Sequence, residues 1–334
     1  MITVTLYVRN NHPASRQAQE DLNALQDVIA HQLAVIDVDS DPALQKTYGE
    51  RVPVVKAGPY ELTHPFDRAA LQMTLGAARD RATALEKVGD TAYQQRVKAG
   101  KELTGTDRFS LWLSRHYLAM INLLVFLYVG LPFLAPVLMK VGAPFPAKVI
   151  YSMYSPLCHQ FPFRSFFLFG EQPYYPRALA HMDGVLTYEQ VTNNPNIDVF
   201  EARKFLGNDV LGYKVALCER DVAIYGSILL FGLLYAVTGR KLGKIPWYIW
   251  LFVGMGPIGL DGVSQLPGLA EGVFLKILPI LRESSPLLRT ITGGLFGFLT
   301  AWYLFPIIEE SMLETRRTIL RKISVISQTT TKVP

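Results

Sequence analysis

The chain has only two cysteines, and each stands among residues able to do chemistry. Cys158-His159-Gln160 leads to Arg164 and Ser165, while Cys218-Glu219-Arg220-Asp221 comes later; Asp261, Gln265 and Arg289 complete the set. All lie at the ends or margins of apolar stretches long enough to cross a membrane, where polar and thiol groups are costly unless partnered and therefore mark a functional site. Four chemistries are open to the thiols. In an oxidising compartment they form a disulfide. With the His159 imidazole and the Asp221 carboxylate they make a tetrahedral donor set for zinc or another transition metal, although adjacent residues such as Cys158 and His159 rarely reach one ion. As a redox pair they exchange electrons with a quinone or a partner, Arg164 and Arg220 stabilising a thiolate or a reduced quinone oxygen. As buried thiols they are inert.

The charged groups carry two readings of their own. Asp261 pairs with Arg220 or Arg289 to hold a helix bundle whose close approach is allowed by Gly254, Gly256, Gly259 and Gly262. Alternatively Arg164, Arg220 and Arg289 face an anionic ligand, with Gln160 and Gln265 donating hydrogen bonds.

Four apolar stretches must position these residues: Leu118 to Met139, Val222 to Thr238, Trp247 to Leu266 and Leu288 to Ile308, each near the twenty residues that a bilayer crossing requires. Half of the 334 residues are hydrophobic and 18% are charged, and mean hydropathy is +0.19, which predicts a soluble part joined to a membrane part. The net charge of +5 is concentrated beside the apolar stretches, at Arg240, Lys241 and Lys244 and at Arg316, Arg317, Arg321 and Lys322, a pattern of membrane orientation and contact with anionic head groups. With four crossings both termini are cytoplasmic in the inner membrane, and the cysteine, Asp261 and Arg289 regions share the outer side. Val149 to Gly170, interrupted by Pro156 and Pro162, reads as a re-entrant or interfacial helix pair. Residues 171–217 read as an extracytoplasmic cap of short helices, and Val273 to Leu281 as an apolar piece on the same surface. The mixed, polar first thirty residues predict no cleavable signal peptide.

The first eighty residues alternate elements in a different way. A β-branched run at Ile2 to Val8, a helical pattern with Leu22, Leu25, Val28 and Ile29 on one face, a strand at Leu33 to Val38, a short helix at Leu44 to Tyr48, Val52-Pro53-Val54-Val55, a Gly-Pro turn and a helix from Phe66 to Ala77 give a β-α-β-α-β-β-α order. That order resembles the thioredoxin fold in its glutaredoxin-like form, and Val52-Pro53 sits where that family has its cis-proline. The family's Cys-x-x-Cys position is held here by His12-Pro13-Ala14-Ser15. A helix N-terminus there would lower a thiol's pKa, but the domain has no thiol. His12 and Ser15 lack an orienting carboxylate, Ser15 reads as a helix cap, and the domain is expected to be redox-dead.

The later part resembles an uncharacterised bacterial membrane family, known only as a domain of unknown function, that carries Cys-His-Gln and, before a Gly-Ile-Tyr-rich span, Cys-x-Arg-Cys. The matching residues are Cys158-His159-Gln160 with Arg164-Ser165, Cys218-x-Arg220-Asp221, Asp261-Gly262-x-x-Gln265 and Arg289-x-x-Thr292-Gly293. Asp221 replaces the last cysteine, so a three-thiolate metal site is excluded.

The expected fold is therefore an α/β thioredoxin-like N-terminal domain joined to an all-α polytopic membrane domain. Residues 1–80 form the glutaredoxin-like domain, 81–117 a linker and amphipathic approach, 118–310 the membrane domain and 311–334 a basic cytoplasmic tail. Phosphate loops, dinucleotide-binding glycines, nucleophile elbows and zinc-peptidase helices are absent, and the basic clusters lack the interleaved aromatics of a nucleic-acid binder. The expected role is that of an accessory protein of the bilayer, binding or assembling other membrane-complex subunits, with no nucleic-acid partner. Its rivals are a thiol or quinone oxidoreductase and a zinc- or transition-metal-binding enzyme or carrier.

Overall fold

The computed structural model describes residues 2–88, 91, 102–265 and 283–331. By internal contacts the chain forms two compact units, residues 1–117 with 238–241 and 308–334, and residues 118–237 with 242–307.

In the first unit, β1 (Ile2–Val8), β2 (His31–Asp37), β3 (Val54–Ala57) and β4 (Tyr60–Thr63) make one sheet in the order β2-β1-β3-β4. The β1–β2 pair is parallel and the other two pairs are antiparallel. Helices α1 (Pro13–Ala24), α2 (Pro42–Tyr48) and α3 (Arg68–Val88) connect and cover the strands. Val4, Leu6, Leu22, Leu25, Val55, Leu71 and Leu75 form the buried core between the sheet and α1 with α3, the two-layer solution for a sheet whose faces are apolar. The expected element order is present, and the Val52–Pro53 peptide is cis. Helix α3 continues well past Ala77, so the domain boundary drawn at residue 80 falls inside it.

Helix α4 (Gly105–Lys140) starts earlier than the expected crossing, and residues 105–117 are its first turns rather than linker. The reason is local: Asp107 accepts from the Thr104 amide at 2.8 Å while the Thr104 hydroxyl accepts from the Asp107 amide at 3.2 Å, a reciprocal cap that starts a helix. The glycines of the expected linker at 89 and 100 lie outside the described residues. The basic tail is likewise helix, the last part of α11 (Pro286–Thr331). Its Leu313 and Leu320 pack on Tyr7, Ile36, Val38, Leu44, Tyr48, Val52 and Val54. Arg316 is buried between Asp41, at 2.8 Å, and Glu309, Arg317 lies over the Tyr48 ring, and Lys322 meets Asp107 at 2.6 Å. These cations make contacts within the first unit.

In the second unit α4 continues, followed by α5 (Pro144–Tyr154), strand β5 (Ser165–Leu168), short helices α6 (Tyr188–Thr192) and α7 (Val199–Lys204), strands β6 (Gly207–Asn208) and β7 (Gly212–Cys218), and helix α8 (Glu219–Val237). The expected helix pair over 149–170 is one helix, a 3-10 turn at Pro162–Arg164 and a strand; Pro156 stands just past the helix end, where it cannot continue helical hydrogen bonding, and eleven residues rise only about 16 Å, half a bilayer. The cap has the expected short helices, and adds a sheet in the order β5-β7-β6, with Ser165 opposite Cys218 and Phe167 opposite Lys214. Its core is Phe163, Phe167, Tyr175, Tyr188, Ala202 and Leu211.

Among the described residues three helices are long and apolar enough to cross a membrane: Gly105–Lys140, Glu219–Val237 and Pro286–Ile326. The third expected stretch, Trp247 to Leu266, is a shorter helical run, α9 (Trp247–Ile249), a π-helical turn (Trp250–Met255) and α10 (Gly256–Val263). Pro257 has no amide to donate, and the Gly256 amide bonds back to Leu251, five residues earlier, the one-residue slip of a π turn. Val273 to Leu281 lies outside the described residues.

Candidate thiol site and its ion-pair frame

Cys158 follows α5 by a tight turn, its amide bonded to Tyr154 O at 2.9 Å. Cys218 ends β7, where α8 begins, and its sulfur accepts the amide of Asp221 at 3.4 Å. The two sulfurs and the Asp221 carboxylate lie within 4.8 Å of one another. Cys158 is buried among Ala147, Ile150, Tyr151, Tyr154, Ala216 and Leu217, but one edge opens on a cleft of about 430 Å³ lined also by Ser152, Ser155, His159 and Arg203. His159, the fourth expected ligand, is not part of the group. It is exposed, and its ring stacks on Phe161.

The two sulfurs lie close together and are thereby made unequal. The neighbouring Cys218 thiol, helped by the Gln160 amide and against the effect of burial, holds the Cys158 thiol below its usual pKa. The same proximity, with burial and the negative charges of Cys158 and Asp221, raises Cys218 well above it. A thiolate is the reactive form, so the pair has one nucleophile and one reserve thiol.

Sequence reasoning missed Lys214 and Arg203. Lys214 is fully buried, and its ammonium donates to the carbonyls of Gln160 at 2.8 Å and Arg203 at 2.7 Å. No carboxylate pairs with it among the described residues. Burial, with a smaller effect of Arg203, lowers its pKa to about 7, while Cys158 acts to keep it charged. Arg203 itself donates to the Ser155 carbonyl and hydroxyl, both at 2.5 Å. The available signal for Lys214 was period two: Lys214, Ala216 and Cys218 alternate along a strand and share a face.

The three arginines expected to receive an anion are all matched by carboxylates. Arg164 makes a two-pronged contact with Glu283, at 2.7 and 2.9 Å. Arg289 joins Glu219, at 3.1 Å, to Glu283. Arg220 pairs with Asp261, whose carboxylate also accepts from Ser284 at 2.9 Å. Of the two pairings expected for Asp261, the Arg220 one is made. Gln160 donates to Tyr151 O and Gln265 to Asp261 O, so both amides satisfy backbone. Glu283 and Ser284 were not singled out from sequence, and Glu219 was named only as part of the Cys218 motif, without a role. The anion pocket is thus an ion-pair frame, and it gathers the ends of α8, α10 and α11 beside the cap.

In the glutaredoxin-like domain, His12 Nδ1 and Ser15 Oγ lie 3.4 Å apart. His12 is the α1 cap residue, and Ser15, buried in the first turn, accepts the Arg9 amide at 3.4 Å; Ser15 is therefore not the cap. No carboxylate orients His12 among the described residues.

Comparison with known proteins agrees with this division. Residues 3–76 match the family model described as a glutaredoxin-like domain (DUF836), and residues 209–303 match the one described as a predicted membrane protein (DUF2085). The chain thus joins a glutaredoxin-like domain to a membrane domain of the second kind, and it is a membrane protein. Cys218, Arg220, Asp221, Asp261, Gln265 and Arg289 fall inside the second match; Cys158 to Ser165 precede it. An uncharacterized protein of Methanocaldococcus jannaschii is 28% identical over 205 residues, which cover 59% of this chain and 96% of that protein. No solved structure matches the chain.

Proposed function

We propose that the protein is a membrane dithiol oxidoreductase in which Cys158 and Cys218 cycle between a thiol pair and a disulfide. The observation that carries this reading is the close approach of the chain's two cysteines, whose sulfurs lie within 4.8 Å of each other, one of them at the mouth of a cleft. The co-reactant is a disulfide. The Cys158 thiolate attacks one of its sulfurs, forming a mixed disulfide and expelling a thiolate. Cys218 gives its proton to that leaving group and attacks the Cys158 sulfur; the Cys158–Cys218 bond forms, the mixed disulfide breaks, and the second substrate thiolate leaves. Two electrons pass from the protein thiols to the substrate disulfide.

The orientation proposed with this function has the Arg115, Arg240 and Arg316 ends of the helices in the cytoplasm. Arg240 donates to the Arg115 carbonyl at 2.8 Å and pairs with Glu309 at 3.3 Å, so these basic ends gather together, as inner-side residues do. The dithiol then faces the oxidising compartment of the inner membrane. The thiol-free glutaredoxin-like domain serves assembly, binding other subunits of a membrane complex.

The test is a redox titration of the detergent-purified, chelator-stripped protein in thiol/disulfide buffers, quenched in acid, alkylated and weighed intact. The expected result is a single two-electron transition between doubly alkylated and unmodified chains, with Cys218→Ser trapping a mixed disulfide on Cys158. Two alkyl groups at every potential would overturn the redox reading, and the protein would then be an accessory subunit alone.

A further inference from the structure

We infer that the reduced site binds one thiophilic divalent cation of the zinc class through Cys158, Cys218 and Asp221, so that metal occupancy regulates the dithiol. The inference deepens the oxidoreductase reading and rests on it for its regulatory meaning. The donor set is already assembled. Two sulfurs and a carboxylate within 4.8 Å of one another need only a small contraction to the spacing of about 3.5–3.8 Å set by tetrahedral zinc with bonds of about 2.0–2.3 Å. Each ligand is carried by a rigid element: the turn that ends α5, the last residue of β7 and the first turn of α8. Three protein ligands leave a fourth position, and one of the three, Cys158, also lines the cleft. Zinc sites that take a water or substrate likewise have three protein ligands and an open fourth position.

Charge supplies the independent observation. Binding releases two thiol protons and leaves two thiolates and one carboxylate around a dication, a net charge of −1. Lys214 is a fully buried lysine whose amine meets carbonyl oxygens and no carboxylate among the described residues. Such a group is costly to bury unless a negative partner stands near, and Cys158 is the group that acts to keep it charged. An anionic metal centre gives that ammonium its counter-charge. Arg220 does not compete for the site, because it is held by Asp261.

Metal and disulfide exclude each other, since the same sulfurs make both bonds. Oxidation expels the cation, and the bound cation shields the thiols from oxidation.

The experiment titrates cobalt(II), then zinc(II), into the reduced, chelator-stripped protein in a phosphine reductant. One cobalt per chain with an intense thiolate-to-metal band, displaced by zinc, is expected. Cys158→Ser and Cys218→Ser should abolish the band, and Asp221→Asn should weaken binding by about ten-fold or more. Asp221→Cys keeps a ligand at that position and should retain binding, which separates ligand loss from misfolding. The disulfide form should bind nothing. Absence of the band, or equal binding by Cys218→Ser, overturns the inference. A two-electron transition without cobalt binding removes the metal and leaves the oxidoreductase; cobalt binding by thiols that never oxidise removes the oxidoreductase instead.

Discussion

Arg289, in the first turn of α11, meets Glu219, the first residue of α8, at 3.1 Å with both side chains buried. Its other nitrogen holds Glu283, which also takes Arg164, so one guanidinium separates two carboxylates. Removing one partner of a buried pair strands the other charge, at a cost of about 3–5 kcal/mol. Arg289→Met is expected to destabilise the membrane domain by that amount, read from thermal unfolding in detergent. Arg164→Met, whose side chain is about one third exposed, should cost far less. Equal losses for the two would show that burial does not govern the network.

Helices α8 and α11 approach through Gly293 and Gly297. A Cβ on Gly297 would stand 2.1 Å from the Ile224 carbonyl oxygen and 2.3 Å from the Ser227 hydroxyl, whereas Gly294 has nothing within 4 Å. Small residues four apart let helix backbones approach in a membrane. Gly297→Ala should therefore lower stability by about 1–3 kcal/mol, with Gly294→Ala neutral or slightly stabilising. The comparison of unfolding midpoints for the two variants checks the packing, and identical midpoints would refute it.

The contrast between the two domains explains what was legible. In the glutaredoxin-like domain each strand and helix carries its own period, and the chain order alone fixes the topology from Ile2 to Ala77. In the membrane domain the residue types that do chemistry were visible, and Cys158, Cys218, Asp221, Asp261 and Arg289 were expected to converge. Pairing was not visible, because it depends on which helix faces touch. Asp261 could take either arginine, and Glu283 only gains a role through Arg164 and Arg289. The glycines at 254–262 looked like the close-approach surface, yet a Cβ on Gly254 would meet Leu299 at an ordinary 3.4 Å, and Gly259 has open space. The tight approach is at 293 and 297, on the other helix. The burial of Arg316 was not visible in the basic tail, because charge next to an apolar run carries no sign of which cation will be enclosed; Arg316 has Asp41, Glu309 and the Ser114 carbonyl around it.

Arg316 yields a prediction of its own. It is almost fully buried and ties the end of α11 to α2 and α4 in the first unit, while Leu313 and Leu320 cover the face formed by Tyr7, Tyr48 and Val52. Arg316→Ala leaves Asp41 and Glu309 without this cation. The end of α11 should then open locally, and limited proteolysis should cut within residues 313–326 far faster than in the parent. Arg321→Ala is the comparison on the same helix. If both variants are cut at the parent rate, the buried arginine does not hold the tail.

Lys214 determines how stability depends on pH. Its pKa falls from 10.5 to about 7 on folding because burial disfavours the ammonium. Between those values the unfolded chain binds more protons than the native one, so stability rises with pH across the window. Cys158, also lowered by folding, acts in the same direction up to its ordinary thiol range. Cys218, raised by folding, acts oppositely once the pH reaches that range, near 9.0. The reduced, metal-free protein should therefore show an unfolding temperature that climbs from about pH 7 to about pH 9. In Lys214→Met the larger part of that climb disappears and only the Cys158 contribution is left. A parent-like slope in the variant would mean that Lys214 stays charged in the native state, its pKa not lowered by burial, and the pH dependence would have to come from the thiols.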